Sequence, residues 1–304
     1  MRIAVTGGTG FIGRVLIRAL RDNGHSVIAL SRDLFRAKEI LGDGVELVHW
    51  EVGRRPSPWE GEIGRADAIV NLAGEGLFTK RWDVAQKARI WNSRVDGTRQ
   101  IVEAVGRQHQ RPRILVNASA IGYYGPHGDE PLDENSPPGS DFIAEMVAAW
   151  EAKAAKAESL GVRVVLSRIG VVLEREGGAL APMMPLFKMF MGGWLGSGQQ
   201  YFSWVHRDDV VGIILYALNH DQIRGAINAT SPRPVTNKEF CTALGRALHR
   251  PSWAPVPAFA LKVLVGEASQ VLLTGQKVIP KAITTAGYRF KHSELDEALA
   301  SIVK

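Results

Sequence analysis

A glycine-rich turn near the start of the chain constrains the fold more than any other feature. It lies between an apolar run at Arg2–Thr6 and a helix-period segment at Phe11–Asn23. Its glycines have the spacing G-x-x-G-x-x-G: Gly7 suits a tight turn, Gly10 a close approach to pyrophosphate, and Gly13 close helix–strand packing. The helix N-terminus then favours phosphate anions. We expect a dinucleotide site with contacts from Gly7, Thr9, Gly10, Phe11, Ile12 and Gly13.

Strand-like and helix-like segments alternate along the first two thirds of the chain. The expected strands are apolar throughout, which is typical of a parallel sheet covered by helices on both faces. Helical stretches between them include residues 83–106 and 141–160. The sequence predicts an α/β fold, a Rossmann-type doubly wound parallel sheet, with strands at Arg2–Thr6, Ser26–Leu30, Val45–His49, Ala68–Leu72, Ile114–Asn117 and Val162–Leu166.

The end of the second expected strand indicates the cofactor. Asp or Glu at this point usually binds the ribose 2′-hydroxyl of NAD. This chain has Ser31 and Arg32 there, with Asp33 following. Because a guanidinium pairs bidentately with a 2′-phosphate, we expect NADP, bound by Ser31 and Arg32. The alternative is that Arg32 is an ordinary surface arginine.

The alternating pattern loosens after Arg168, and helices predominate beyond Ser231, among them one expected at Ala258–Leu273. We therefore expect an NADP-binding Rossmann domain over residues 1–230, whose segment 174–206 contributes to the substrate cleft. A smaller, mainly helical C-terminal domain on the substrate side is expected over residues 231–304.

Charge and cysteine content exclude several classes of partner. The 37 Lys and Arg residues exceed the 31 Asp and Glu residues by only six, and they form no dense run. A nucleic-acid groove concentrates its basic residues, so a small-molecule partner is expected instead. The single Cys241 allows no internal disulfide, and no Cys/His spacing suggests a metal site. With no signal sequence and no unbroken apolar span, we expect a cytoplasmic monomer or homodimer without a membrane partner.

These motifs resemble the extended branch of the short-chain dehydrogenase/reductase superfamily, which includes sugar epimerases and dehydratases. Asp67–Gly74 is similar to its fourth-strand motif, which implies cofactor contacts by Asn71, Leu72, Ala73 and Gly74. Within the branch, the chain resembles an atypical group, the epimerase family proteins, whose C-terminal part is a small domain of unknown function. Motifs similar to those of the group lie at residues 71–75, 80–82, 93–94, 122–125, 202–206 and 275–280.

The resemblance implies a catalytic Ser, Tyr and Lys, of which only the Ser has a counterpart. Ser119, at the end of the fifth strand, fits the residue that orients the substrate oxygen; the alternative is a hydroxyl that only caps the strand. The Tyr-x-x-x-Lys motif is missing, because its two possible registers hold Ile143 with Val147 or Phe142 with Met146. We interpret Phe142, Met146 and Trp150, spaced four apart, as a packed apolar stripe.

Other side chains are candidates for the missing roles. Tyr124 is a possible proton carrier if Arg94, which replaces the branch's usual Asn, lowers its pKa; otherwise it is a structural tyrosine. Glu75 either acts as a base or pairs with Arg81. Asp208 or Asp209 is expected to cap a helix. Substrate contacts are expected from Arg94, Tyr123, Gln200, Trp204 and His206.

Two functions follow from these observations. The first is an NADP(H)-binding, epimerase/dehydratase-like oxidoreductase that acts on an unidentified small molecule without the usual Tyr and Lys. The second is a non-catalytic NADPH-binding sensor or a regulatory or assembly protein. Loss of a general acid/base lowers a rate by about 10²- to 10⁴-fold, which makes the two hard to separate from sequence.

Overall fold

The computed structural model describes residues 1–54 and 59–303. Within those residues no helix has both the length and the apolar character needed to cross a membrane. The strands are β1 (Arg2–Thr6), β2 (Ser26–Ser31), β3 (Glu46–His49), β4 (Ala68–Asn71), β5 (Ile114–Ala120), β6 (Pro131–Leu132), β7 (Arg163–Ile169), β8 (Val171–Glu174), β9 (Gly177–Gly178), β10 (Tyr201–Phe202), β11 (Trp204–His206), β12 (Gly225–Ala229), β13 (Val235–Thr236) and β14 (Lys277–Val278). The helices are α1 (Gly13–Asp22), α2 (Leu34–Leu41), α3 (Trp59–Ile63), α4 (Val84–Gly106), α5 (Phe142–Ala155), α6 (Leu180–Lys188), α7 (Arg207–Asn219), α8 (Asn237–Leu248), α9 (Ala258–Val265), α10 (Ser269–Leu273), α11 (Lys281–Thr285) and α12 (Leu295–Val303).

A seven-stranded parallel sheet forms the centre of the protein, with the strand order β12-β7-β5-β4-β1-β2-β3. The order runs outward in one direction from β1 and in the other from β4. Ligands of open α/β sheets bind at such a switch point, outside the carboxyl ends of the strands. The predicted doubly wound fold is confirmed, and it directs attention to the ends of β1 and β4.

Each central strand is buried on both faces. On β1, Ile3 and Val5 pack into the cluster that contains Leu16 of α1, whereas Ala4 faces the opposite cluster with Ile69. Successive side chains of a strand point to opposite faces. Because helices cover both faces, the middle of such a strand is apolar on both sides, and this explains the apolar runs of the sequence. Polar residues such as Asn71 and Ser119 lie toward the carboxyl ends of the strands.

The C-terminal region differs from the predicted pattern at one helix. The prediction of a single helix at Ala258–Leu273 is wrong. The segment forms two helices, α9 and α10, which are separated at Gly266, where φ is +65°. A left-handed residue ends an α-helix, and glycine adopts that conformation without a steric penalty. Ile283 packs in the same core as Ile227 of the central sheet. The boundary at residue 230 stays a prediction.

Candidate functional site

The glycine-rich turn packs without spare room between β1, β4 and α1. Gly7 has a φ of +67°, and a Cβ atom there would lie 2.8 Å from the carbonyl oxygen of Leu72. A Cβ atom on Gly13 would lie 2.2 Å from the carbonyl oxygen of Gly7. The first turn of α1 carries no acidic side chain, so nothing opposes an anion at the positive end of the helix. The turn and packing roles of these two glycines are confirmed, and the loop fits a pyrophosphate.

An apolar cavity of about 300 Å³ lies beneath this loop, at the carboxyl ends of β1, β4 and β5. Arg94 is the single charged side chain among the described residues that line it, and Ser119 contributes the hydroxyl. Most of the predicted cofactor residues also line this cavity. They are Gly7, Gly10, Phe11, Ile12, Gly13, Leu72, Ala73 and Gly74.

A second cavity, of about 460 Å³, is polar and contains Arg32 and Glu75 in its lining. The carboxylate of Asp33 does not face it as a free group, because it caps α2 by accepting a hydrogen bond from the Arg36 amide at 3.0 Å. The Ser31 hydroxyl donates to the Asp33 carbonyl at 3.0 Å. Arg32 is exposed at this strand end and lines the polar cavity, with its guanidinium available to a ligand.

Asn71 holds the strand ends together from inside the protein. Its side chain is buried, accepts a hydrogen bond from Thr6 Oγ1 at 2.6 Å, and donates to Thr98 Oγ1 at 2.8 Å and Asn117 Oδ1 at 2.6 Å. Buried polar groups are costly unless they are paired. The amide thus braces β1, β4, β5 and α4 against one another, and it is the backbone after Asn71 that borders the cavity.

Ser119 begins a buried polar network. Its hydroxyl donates to Glu151 Oε1 on α5, and Glu151 in turn accepts two hydrogen bonds from Arg168, both at 2.9 Å. All three residues are more than nine-tenths buried. Burial alone would lower the pKa of Arg168, but the hydrogen bonds and charge of Glu151 raise it. The guanidinium remains a permanent cation that holds Glu151 as its counter-ion.

Sequence reasoning missed Glu151 and Arg168. Each is an ionisable residue among buried neighbours, Glu151 on the buried face of α5 and Arg168 on the buried strand β7. Charged residues are rarely buried unless they are paired. One acid and one base in two buried segments are the signal that points to this ion pair.

Tyr124 is part of the same network and not a free proton carrier. Its hydroxyl donates to Asn228 Oδ1 at 2.7 Å and accepts from Arg168 Nη1 at 3.0 Å. Burial raises the pKa of Tyr124 to about 12, although Arg168 opposes the shift. The expectation that Arg94 lowers this pKa is wrong, because the adjacent cation is Arg168 and burial outweighs it. Tyr123 packs its ring 3.5 Å from the Arg168 guanidinium carbon and so supports that cation.

The face of α5 that borders the cavity is apolar. Ile143, Met146, Val147 and Trp150 all line it. Whichever register is used, the positions of the missing Tyr and Lys carry no proton donor and no cation. Met146 and Trp150 form the expected apolar stripe, whereas Phe142 lies outside this lining and packs edge-on against Trp82 at 5.5 Å.

Arg94 is held at the cavity by backbone carbonyl groups. Its Nη1 donates to the Glu75 carbonyl at 2.9 Å and to the Ile90 carbonyl at 3.3 Å. Burial lowers the pKa of Arg94 to about 10, and the nearby Glu75 opposes this. The side chain therefore stays charged at neutral pH.

Glu75 does not adopt the predicted pairing. Its carboxylate accepts a hydrogen bond from Thr79 Oγ1 at 3.3 Å. Within the described part of the chain it forms no ion pair with Arg81. It faces the polar cavity beside Arg32 and not the cavity that contains Ser119, so a role as a base next to Ser119 has no geometric support.

Two of the expected substrate contacts are structural. Trp204 is completely buried, and its indole donates to the Arg233 carbonyl at 3.0 Å. Gln200 donates to the carbonyls of Leu195 and Leu272, each at 3.0 Å. Neither residue lines the cavity that contains Ser119. The complete burial of Trp204 leaves it no surface for a ligand, whereas the expected contact by Gln200 stays a prediction. The buried indole of Trp204 and the amide of Gln200 each connect segments of the chain that lie far apart in sequence.

His206 is likewise absent from the lining of that cavity. It is buried and caps α7 by accepting a hydrogen bond from the Asp208 amide at 3.1 Å, so neither Asp208 nor Asp209 is the cap. Its ring lies 3.8 Å from that of His292, and burial lowers its pKa. His206, Asp208 and His292 have ligand atoms within 4.8 Å of one another, although Lys291 Nζ already binds Asp208 at 3.0 Å.

Comparison with known proteins agrees with the sheet order and the glycine loop. The sequence pattern of the NAD dependent epimerase/dehydratase family matches residues 3–229, and a domain of unknown function, DUF1731, matches residues 256–302. The epimerase family protein SDR39U1 homolog of Arabidopsis thaliana, described as chloroplastic, is 45% identical over 308 residues, covering 100% of this chain and 87% of the relative. Epimerase family protein YfhF of Bacillus subtilis is 38% identical over 305 residues, covering 100% and 98%. The crystal structure of human epimerase family protein SDR39U1 with NADPH superimposes with a TM-score of 0.88 at 34% identity, covering 99% of each chain. Since the family pattern spans both the loop and the whole central sheet, the chain belongs to the NAD dependent epimerase/dehydratase family.

Proposed function

We propose that this protein is an NADP(H)-dependent oxidoreductase of a small molecule, with an epimerase-like site that lacks the usual Tyr and Lys. The glycine loop with the α1 N-terminus would hold the pyrophosphate, and Arg32 the 2′-phosphate. The human relative crystallised with NADPH supports the same choice of cofactor. Leu72, Ala73 and Gly74 would border the cofactor at the adjoining strand end.

The hydrogen bond from Ser119 to Glu151 is the observation that carries the proposal. The cofactor supplies the hydride acceptor or donor when bound. Ser119 accepts the proton of a substrate hydroxyl as it passes its own proton to Glu151, and the reverse movement serves carbonyl reduction. A serine that donates to a carboxylate has a lone pair free for the substrate proton. The network therefore offers a proton route through Glu151 that does not use the α5 positions of the missing Tyr and Lys.

A second candidate function is an NADPH-binding sensor without turnover. The apolar cavity face of α5 favours it, because no residue of that face can exchange a proton. In that case the chain would retain cofactor binding, and Glu151 and Arg168 would serve stability alone.

Titration of the purified protein with NADPH and NADH, followed by nicotinamide fluorescence, tests the cofactor. A panel of carbonyl compounds is then added at saturating NADPH. We expect tighter binding of NADPH than of NADH. One class of compound should cause a loss of NADPH fluorescence, and the Ser119→Ala substitution should slow that loss. Ser269→Ala, which removes a buried hydroxyl outside the cavity, is the matched control. Equal affinity for both nucleotides would contradict the cofactor assignment.

A further inference from the structure

Arg94 is a charged side chain without a counter-ion in an apolar cavity. Among residues 1–54 and 59–303, no carboxylate lies within ion-pair distance of it, and its hydrogen bonds go only to two backbone carbonyls. The remaining lining is almost wholly hydrocarbon, including Phe11, Met146 and Trp150. The side chain is partly buried, and a cation in an apolar setting gains from an anionic partner, so a ligand that enters the cavity can pair with it.

One edge of the guanidinium is available to that ligand. Both of its hydrogen bonds use Nη1, so within the described chain Nε and Nη2 have no acceptor. The plane of the group packs on Gly74, where a Cβ atom would lie 3.0 Å from Cζ, 3.1 Å from Nη2 and 3.3 Å from Nε. Glycine at this position lets the guanidinium lie flat against the chain. The Nε–Nη2 edge is the fork that binds a carboxylate with two parallel hydrogen bonds.

The anionic groups of the cofactor are assigned to other donors, of which the glycine loop borders the same cavity as Arg94. The pyrophosphate is assigned to the loop and the N-terminus of α1, and the 2′-phosphate to Arg32, which lines the other cavity. The cation beside Ser119 is therefore left for the second ligand of the cleft. A single guanidinium edge in a small apolar cavity matches a monoanion, whereas a phosphate dianion requires more donors.

From this geometry we infer that the substrate is a small oxo or hydroxy acid, whose carboxylate binds Arg94 and whose reacting carbonyl or hydroxyl group binds Ser119. This inference rests on the proposed function, because it places both groups in the same cleft. The apolar residues of α5 would pack against the hydrocarbon part of such an acid. Arg94 thus selects the substrate, and Ser119 with Glu151 handles its proton.

The test compares unbranched 2-oxo acids of increasing length with their methyl esters, added to the NADPH-loaded full chain. Nicotinamide fluorescence reports both binding and oxidation. We expect at least one acid to bind at least tenfold more tightly than its ester. Arg94→Gln should weaken the binding of that acid by about 10- to 100-fold, the range of a charge-assisted hydrogen bond. Arg94→Lys should weaken the binding less.

NADPH affinity of each variant, measured in the same way, serves as the check of folding and should fall much less than the affinity for the acid. Arg107→Gln is the matched control, because Arg107 caps the same helix and pairs with Glu60 on the surface. The inference fails if no acid binds wild-type protein, if acids and esters bind alike, or if Arg94→Gln weakens NADPH as much as the acid. Turnover of a neutral carbonyl compound would keep the proposed function and overturn this inference. Binding of an acid that does not oxidise NADPH would keep the carboxylate site at Arg94 but overturn the proposed oxidoreductase function, and with it the role of the acid as substrate.

Discussion

The hydroxyl of Ser119 donates to the carboxylate of Glu151, which lies 32 residues further along the chain on the buried side of α5. Only 3% of Ser119 and 6% of Glu151 is exposed. Through this contact the wall of the apolar cavity is joined to the Arg168 ion pair behind it. The same residues therefore contribute to the stability of the site and, in the proposed function, carry its proton.

Glu151→Ala should destabilise the fold by about 3–5 kcal/mol, because it leaves the Arg168 guanidinium buried without its carboxylate. Urea denaturation followed by tryptophan fluorescence measures the free energy of unfolding. Arg246→Ala breaks an exposed pair with Asp296 and should cost less than about 1 kcal/mol. Equal losses in the two variants would show that the buried pair has no special role.

Arg32→Ala should weaken NADPH binding by about 10- to 100-fold and leave NADH binding nearly unchanged, since only NADPH carries the 2′-phosphate. Fluorescence titration with each nucleotide measures the two affinities. Arg65→Ala removes an exposed arginine that pairs with Glu62 and is the control for a general loss of positive charge. A parallel loss for both nucleotides would refute the role given to Arg32.

Gly13→Ala should reduce NADPH affinity by more than about tenfold and destabilise the fold by about 1–3 kcal/mol, the usual range for overpacking. The added methyl group would lie 2.2 Å from the Gly7 carbonyl oxygen, so the loop must move. In the control, Gly128→Ala, no heavy atom of the described chain lies within 4 Å of the new methyl group. Normal NADPH binding by Gly13→Ala would contradict the account of the loop.

The free energy of unfolding should fall as the pH drops below about 6.5, the ordinary pKa of histidine. Burial, followed by the charge of His292, lowers the pKa of His206 in the folded state. The unfolded chain therefore binds the proton of His206 more readily than the folded protein does. The stability that the neutral His206 contributes is fully present above its pKa in the unfolded chain, and it is lost as the pH falls from there through its pKa in the folded protein.

Urea denaturation at pH 7.5 and 5.5 measures this loss. His206→Asn retains a side chain that caps α7 and removes the titrating ring, so this variant should lose less stability than wild type over the same interval. His109→Asn, which removes an exposed imidazole outside α7, is the control and should lose as much stability as wild type. If His206→Asn loses as much stability as wild type, another group causes the acid sensitivity.

Sequence analysis predicted local features well and long-range partners poorly. The glycine loop, the apolar strands and the apolar face of α5 are patterns of adjacent residues, and a few residues are enough to specify them. The Glu151–Arg168 pair joins a helix to a strand, so nothing in either segment identifies the partner. Trp204 and His206 were assigned to the cleft from motif position alone, and the structure places them in the core and at a helix cap.

Single-turnover oxidation of bound NADPH tests the central claim most directly, with wild type, Ser119→Ala and Glu151→Gln mixed with each compound of the carbonyl panel. We predict rapid oxidation by one class of compound in wild type and a rate about 10²- to 10⁴-fold lower in both variants. NADPH affinity should be unchanged in all three proteins. The claim would be contradicted if no compound oxidises NADPH bound to wild type. It would also be contradicted if NADPH bound to Ser119→Ala is oxidised at the wild-type rate.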